Sequence, residues 1–345
     1  MYKKIIKLSV VIYITFLISA CENISPKVSP FIYSGAIMGT SFSIKASQLP
    51  KGVEVKQLQK LIKTRLDEIN QSMSTYLDDS ELSLINNNHT LQKQGVSVEL
   101  FKVLSTAKKV SKKSAGAFDI TIGPLVNLWG FGSDGMRFKA PNKIKIQELL
   151  AKTGDNYYLL NQEKLSIQKI QANLSLDLSA LAKGYAVDEA ALVLEQQGIH
   201  DYMVEIGGEL RLKGSNSQGN KWRIAVEKPT INKRELHKVL AITNTAMATS
   251  GDYRNFFEQD GQRFSHTIDP RTGYPVTHKL ASVTVLHASS MVADAWATAL
   301  MVLGSEQGYK IAEQEQLAAF FIIKKQQGFA ELATPLFTEY TKGEK

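Results

Sequence analysis

Apolar positions recur along this chain at two spacings. Leu58, Leu61, Ile62, Leu66 and Ile69 fall three and four apart within Val55–Met73, and the same spacing returns over 98–110, so both stretches predict amphipathic helices. A third helix is expected over 179–197, with Ser179 as N-cap and Gly198 just past its end, and a fourth over 290–302, closed by Gly304. Elsewhere the pattern shortens to alternation. Residues 42–44 read as a strand after Met38-Gly39-Thr40, and 157–160 with 164–168 as a hairpin around Asn161-Gln162-Glu163. Further strands are expected at Tyr202–Ile206, Glu209–Lys213, Trp222–Glu227, 238–243, 263–268 and 282–287, with a late buried one at 320–323. Hairpins and scattered helices, without the regular beat of a doubly wound sheet, predict an α+β fold.

The start of the chain stands apart. Lys3, Lys4 and Lys7 precede an almost wholly apolar run over 8–17. That run is shorter than the ~20 residues a membrane span needs, and it fits the apolar region of a signal peptide. Ile18-Ser19-Ala20-Cys21 follows, a pattern resembling the bacterial lipobox, in which the cysteine is lipidated and becomes the new N-terminus. The expected organisation is a leader over 1–20, a tether over 21–30 beginning at lipidated Cys21, and one globular domain over 31–340. Cys21 is the only cysteine, which excludes an internal disulfide and a thiol nucleophile.

The net charge of +8 falls to +5 once the three leader lysines are removed. The remaining basic residues are dispersed, without the basic and aromatic stripe of a nucleic-acid surface, so no nucleic-acid partner is expected. The chain lacks a Gly-x-Gly-x-x-Gly, a phosphate loop, a His-Glu-x-x-His and a Gly-x-Ser-x-Gly. His89, His200, His237, His266, His278 and His287 show no zinc spacing. Chemistry must then come from carboxylates, hydroxyls, one histidine or a hard metal.

Four segments carry such groups. Asp294 and Thr298, four apart on an expected helix among alanines, offer two hard oxygens on one face, as Mg²⁺ takes; Asp294 also fits a first-turn acid facing the helix dipole. Asp177-Leu178-Ser179-Ala180 leads into a helix start with Lys183 one turn in, a place for a phosphate or simply a capped helix. His266 ends an expected strand and is placed either to accept a proton or to hold a loop. Gly116-Ala117-Phe118-Asp119 with Gly123-Pro124 offers backbone groups and a carboxylate.

Taken in order, these segments resemble the ApbE family of FAD:protein FMN transferases. The matching stretches are Met38-Gly39-Thr40, Ser74-Thr75-Tyr76, Gly116 to Asp119, Asp177 to Ala180 with Lys183-Gly184-Tyr185-Ala186, Glu205-Ile206-Gly207-Gly208-Glu209, Ala248 to Tyr253, Ser265 to Pro270 with Thr272-Gly273, and Ala293-Asp294-Ala295. The resemblance implies mixed, mainly antiparallel sheets packed with helices. It implies that Asp294, Thr298 and the Ala180 carbonyl hold Mg²⁺, and that Met38, Tyr76, Ala117, Phe118, Asp119, Asp177, Lys183 and the Ile268 backbone line a site for FAD, the substrate. The family varies at position 183.

His266 and Asp294 are the implied catalytic residues, His266 deprotonating the acceptor hydroxyl. The implied reaction moves FMN onto a Thr or Ser of a protein bearing Asp-x-x-Thr/Ser-Gly-Ala-Thr/Ser, a membrane redox subunit, and releases AMP. Two other outcomes stay open: hydrolysis of FAD to FMN and AMP, and flavin binding without catalysis. Asp269-Pro270-Arg271-Thr272-Gly273 opens like the target motif, departs from it at Tyr274, and reads as a structural turn. The expected location is exported and lipid-anchored on the periplasmic side, the inner membrane favoured over the outer.

Overall fold

The computed structural model describes residues 30–133, 135, 139–230, 235–253 and 255–342. The leader, Cys21 and all but the last residue of the tether lie outside these residues. The frame is an eight-stranded sheet: β1 (Phe31–Ile37), β2 (Thr40–Ala46), β3 (Tyr202–Ile206), β4 (Glu209–Lys213), β5 (Thr245–Gly251), β6 (Leu280–His287), β7 (Ala318–Lys324) and β8 (Phe329–Ala333). Spatial order equals chain order, and every neighbouring pair is antiparallel. The sheet is therefore a meander whose connections have grown into the rest of the molecule, and the α+β reading holds.

Both faces of the sheet are covered, so its central strands are apolar on both sides. Along β7, Ala319 and Phe321 join the main core under the helices, while Phe320 and Ile322 join a second core on the opposite face. That alternation of side chains between faces is the ordinary period of a strand. Burying an Ile, Leu or Phe fully contributes roughly 1.5–3 kcal/mol, and Ile322, Phe321 and Phe320 are each at most 1% exposed. The helical face carries α1 (Val55–Met73), α2 (Val98–Lys113), α3 (Ala182–Gln196) and α4 (Ser290–Gln314). The opposite face carries the hairpin Trp222–Glu227 with Leu236–Ile242, and Phe337 from a short C-terminal helix.

Three expectations need correction. The helix after Asp177 begins at Ala182, and Ser179 does not cap it: the Asp177 carboxylate accepts from the Ser179 amide in a turn that precedes the helix. The strand expected over 263–268 is two short strands, Gln262–Ser265 and Ile268–Asp269, with His266 in the gap. The helix from Ser290 does stop its regular winding at Gly304, as the glycine predicts, but the chain resumes helical structure beyond the kink to Gln314.

A third apolar cluster stands beside the sheet. Leu125, Trp129, Ile146, Phe257 and Ile268 form its buried part. Phe264 stacks on Phe257 at 5.1 Å and lies 5.4 Å from Trp129, whose Nε1 donates to the Gly273 carbonyl at 2.9 Å. Because Phe264 and Ile268 bracket His266, this cluster sets where the histidine stands.

Candidate active site

Between the sheet, the third cluster and the starts of α3 and α4 lies a cavity of about 690 Å³. Of the residues singled out from the sequence, it brings together Ala117, Phe118, Asp119, Asp177, Ala180, Lys183, His266, Ile268, Asp294 and Thr298. Met38 and Tyr76 are not among its lining residues. Met38 packs at the edge of the main core, in the turn between β1 and β2. Tyr76 is 72% exposed.

The corner made by α3 and α4 depends on a close backbone approach. A Cβ at Gly184 would stand 2.4 Å from the Ser290 carbonyl oxygen and 2.7 Å from the Met291 Cα, so only glycine lets the two helix starts meet. Asp188, two turns into the buried part of α3, finishes the junction by accepting from the Ser290 amide at 2.9 Å, the Met291 amide at 3.1 Å and the Ser289 hydroxyl at 2.6 Å. The orphan amides at the start of α4 are thereby satisfied from a neighbouring helix.

This contact also brings an Asp294 carboxylate oxygen to the start of α3. Gly184 is the third residue of α3, so its amide is one of the donors that a helix start leaves without an intrahelical partner; it donates to Asp294 Oδ2 at 3.1 Å. The next amide, of Tyr185, bonds to Leu181 in the usual way. Ala180 stands just before the helix and lines the same cavity as Asp294 and Thr298. A carbonyl, a carboxylate and a hydroxyl are hard oxygens of the kind Mg²⁺ accepts, with water and phosphate completing its octahedron. Among the described residues no group of three or more His, Cys, Asp or Glu side chains has metal-site geometry. A mixed set of this kind is what the fold offers a cation, and it fits Mg²⁺.

Charge is concentrated at the same corner. Asp294 is 5% exposed, and burial raises its pKa against the pull of Lys183 and the Gly184 amide. Lys183 Nζ stands 3.7 Å from Asp294 Oδ2, 3.5 Å from Glu209 Oε1 and 3.1 Å from the Ser179 carbonyl. Burial opposes its charge, but the two carboxylates outweigh it and hold the ammonium protonated well above the ordinary lysine range. Glu209, also 5% exposed, has its pKa raised by burial and by the charge on Asp294, against the opposing pull of Lys183.

Across the cavity, Asn255 supplies a single carbonyl that accepts from both the His266 amide and His266 Nδ1, each at 3.0 Å. A carbonyl cannot donate, so Nδ1 carries the proton and Nε2 keeps its lone pair. Burial lowers the pKa of His266, outweighing Asn255 and Asp252, which favour the charged form. The neutral ring is thus the resting form at neutral pH. On the third side, Asp119 accepts from the Thr121 amide at 2.8 Å and hydroxyl at 2.7 Å, and burial raises its pKa. Asp269 closes a tight turn, accepting from Arg271 Nε at 2.9 Å, as the turn reading of that segment expects.

Two residues of the site carried no role in the sequence reading. Asn255 acts through its backbone, which no side-chain pattern reveals. Glu209 begins β4, where Leu210 and Leu212 face the second core. Alternation therefore groups Glu209 with Arg211 and Lys213 on a polar side, and nothing in the sequence marks it as buried.

The ApbE family model matches residues 38–321. A Vibrio cholerae protein named FAD:protein FMN transferase is 44% identical over 324 residues, covering 94% of this chain and 96% of its own length. A Haemophilus influenzae protein of the same name is 40% identical over 347 residues, 99% of both chains. The solved structure of the flavin transferase ApbE from Vibrio cholerae superposes with a TM-score of 0.85 at 42% identity, over 90% of this chain and 99% of that one.

Proposed function

The chain belongs to the ApbE family, and on that premise we propose that it transfers FMN from FAD to a hydroxyl side chain of another protein, releasing AMP, with Mg²⁺ held at the corner of α3 and α4. The observation that carries this reading is that Ala180, the buried Asp294 carboxylate and Thr298 line one cavity, with Asp294 tied to the start of α3 by the Gly184 amide. Asp294, Thr298 and Ala180 would hold the ion. Bound there, Mg²⁺ supplies charge neutralisation on the diphosphate.

The remaining work falls to the chain's own groups. His266 Nε2 takes the proton of the acceptor Thr or Ser as its oxygen attacks the FMN-side phosphorus. The new P–O bond forms while the bond to the AMP phosphate oxygen breaks, and AMP departs with that electron pair. Such transfers need positioning and charge neutralisation more than covalent help. Lys183 brings a fixed positive charge to the cavity, and Ala117, Phe118, Asp119, Asp177 and Ile268 supply walls for the dinucleotide. We place Met38 and Tyr76 at the rim, as contacts made when FAD extends beyond the cavity. The acceptor carries Asp-x-x-Thr/Ser-Gly-Ala-Thr/Ser and is a membrane redox subunit. The lipobox-like Ile18-Ser19-Ala20-Cys21 supports export and a lipid anchor at Cys21; the family resemblance favours the periplasmic side of the inner membrane over the outer.

The test is incubation of the protein with FAD, Mg²⁺ and a peptide bearing that motif, read by intact mass. Peptide-bound FMN is expected. Free FMN with unmodified peptide would make the protein an FAD hydrolase, and unchanged FAD would reduce it to a flavin binder.

A further inference from the structure

Glu209 is a buried acid that the transfer chemistry above leaves idle. It follows the Gly207-Gly208 turn at the start of β4 and is 5% exposed. Its Oε1 stands 3.5 Å from Lys183 Nζ, and its Oε2 is buried without a hydrogen-bond partner among the described residues. A buried carboxylate oxygen without a partner is costly, so its retention in the cavity wall calls for a role. The turn beside it is shaped to let the lysine reach it. A Cβ at Gly207 would stand 3.2 Å from Lys183 Cδ and 3.0 Å from Thr40 Cγ2, so the bare glycine makes the channel along which the lysine stem lies.

The tethered ammonium, which donates to the Ser179 carbonyl at 3.1 Å, also faces two carboxylates of different assignment. Asp294, 3.7 Å from Lys183 Nζ, is the proposed metal ligand, and Glu209 is not. An ammonium and a divalent cation compete for the same carboxylate, since each repels the other at contact distance. For the ion to bind, Lys183 has to give up Asp294 and keep a partner elsewhere.

We propose that Glu209 is a positioning residue that draws the Lys183 ammonium off Asp294 when the divalent cation binds and holds it facing the cavity. This rests on the assignment of Asp294 as metal ligand. Without Glu209 the ammonium stays on Asp294 and competes with the ion. Without Lys183 the competition disappears, and Glu209 no longer matters to metal affinity.

The experiment is Mg²⁺ titration of the FAD-free protein by calorimetry, on wild type, Glu209→Gln, Lys183→Met, the double variant and Asp294→Ala. Glu209→Gln should weaken Mg²⁺ binding by roughly tenfold, about 1.4 kcal/mol. Lys183→Met should bind at least as tightly as wild type, and the double variant should match Lys183→Met. Wild-type affinity in Glu209→Gln would overturn the proposal. So would a double variant as weak as Glu209→Gln, because Glu209 would then act on the ion directly. Weaker binding in Lys183→Met overturns it too, and that arm stands even if Glu209→Gln does not fold. Undiminished binding in Asp294→Ala would instead remove the metal assignment itself.

Discussion

The two sides of the cavity are built on different terms. The corner proposed for the cation is made by two helix starts pressed together at Gly184, with Asp188 and Asp294 each accepting backbone amides across the junction. The histidine side is a connection between β5 and β6, where His266 sits in a gap between two short strands and is held by one carbonyl and a cluster of rings. The backbone of the corner cannot move without moving a helix, whereas the histidine is placed by side-chain packing. The division suits a reaction with one substrate charged at the phosphates and another arriving as a polypeptide. Damage at the corner should remove ion and dinucleotide binding, and damage at the histidine should spare binding and slow the transfer.

The largest effect is expected from Gly184→Ala. The added methyl meets backbone rather than the flexible end of a side chain, so α3 and α4 must separate. Overpacking of this kind costs roughly 1–3 kcal/mol. Separation also breaks the bond from the Gly184 amide to Asp294. Transfer should fall by more than the ~10²–10⁴ that general-base assistance supplies, with weakened Mg²⁺ binding and a lowered melting temperature. A variant that melts lower but binds Mg²⁺ normally would show that the corner does not depend on the close approach.

His266→Ala follows. With the corner intact, FAD affinity should stay within about twofold while the single-turnover transfer rate drops by ~10²–10⁴. Equilibrium flavin binding beside rapid-mixing transfer assays separates the two. A matched loss in both would merge the two sides into one binding surface.

How much of this was legible in the chain follows the same division. Asp294 and Thr298 were visible because a helix puts residues four apart on one face, and a helix start or stop leaves its own residues. The strands that carry clear alternation were visible too. β5 was not, since Thr245-Ala246-Met247-Ala248-Thr249-Ser250-Gly251 is small and buried on both faces over most of its length, with no polar side to set a period. β1 was missed for the opposite reason, as an edge strand with exposed positions on either side. Ser179 misled because a serine before an apolar run reads as a cap, while the acid two residues earlier takes its amide. The ordered resemblance supplied His266 and the flavin wall; the convergence of Ala180, Lys183, Glu209 and Asp294 belongs to tertiary structure.

A smaller, pH-dependent effect sharpens the contrast. The proposed mechanism uses His266 as the neutral ring, and burial holds its pKa below the ordinary 6.5. Lowering the pH protonates Nε2 and removes the base, so kcat/KM should fall on an acid limb whose midpoint lies below 6.5, with FAD affinity unchanged across it. His266→Ala should lack that limb. A limb that survives in the variant would belong to the carboxylates of the corner.

The smallest effect should come from Trp129→Phe. The indole is 1% exposed and its Nε1 closes on the Gly273 carbonyl at 2.9 Å. Phenylalanine keeps much of the packing against Phe264 and leaves that carbonyl unpaired, at a cost of roughly 1–3 kcal/mol. None of this touches α3 or α4, so Mg²⁺ binding should not change. The histidine, bracketed by Phe264 and Ile268, loses part of its support, and transfer should slow by a few-fold, about 0.5–1 kcal/mol. Measured against His266→Ala, the Trp129→Phe loss should vanish in the double variant, because a ring that acts only by placing the histidine has nothing left to place. An additive loss would mean that the aromatic cluster bears on the flavin directly.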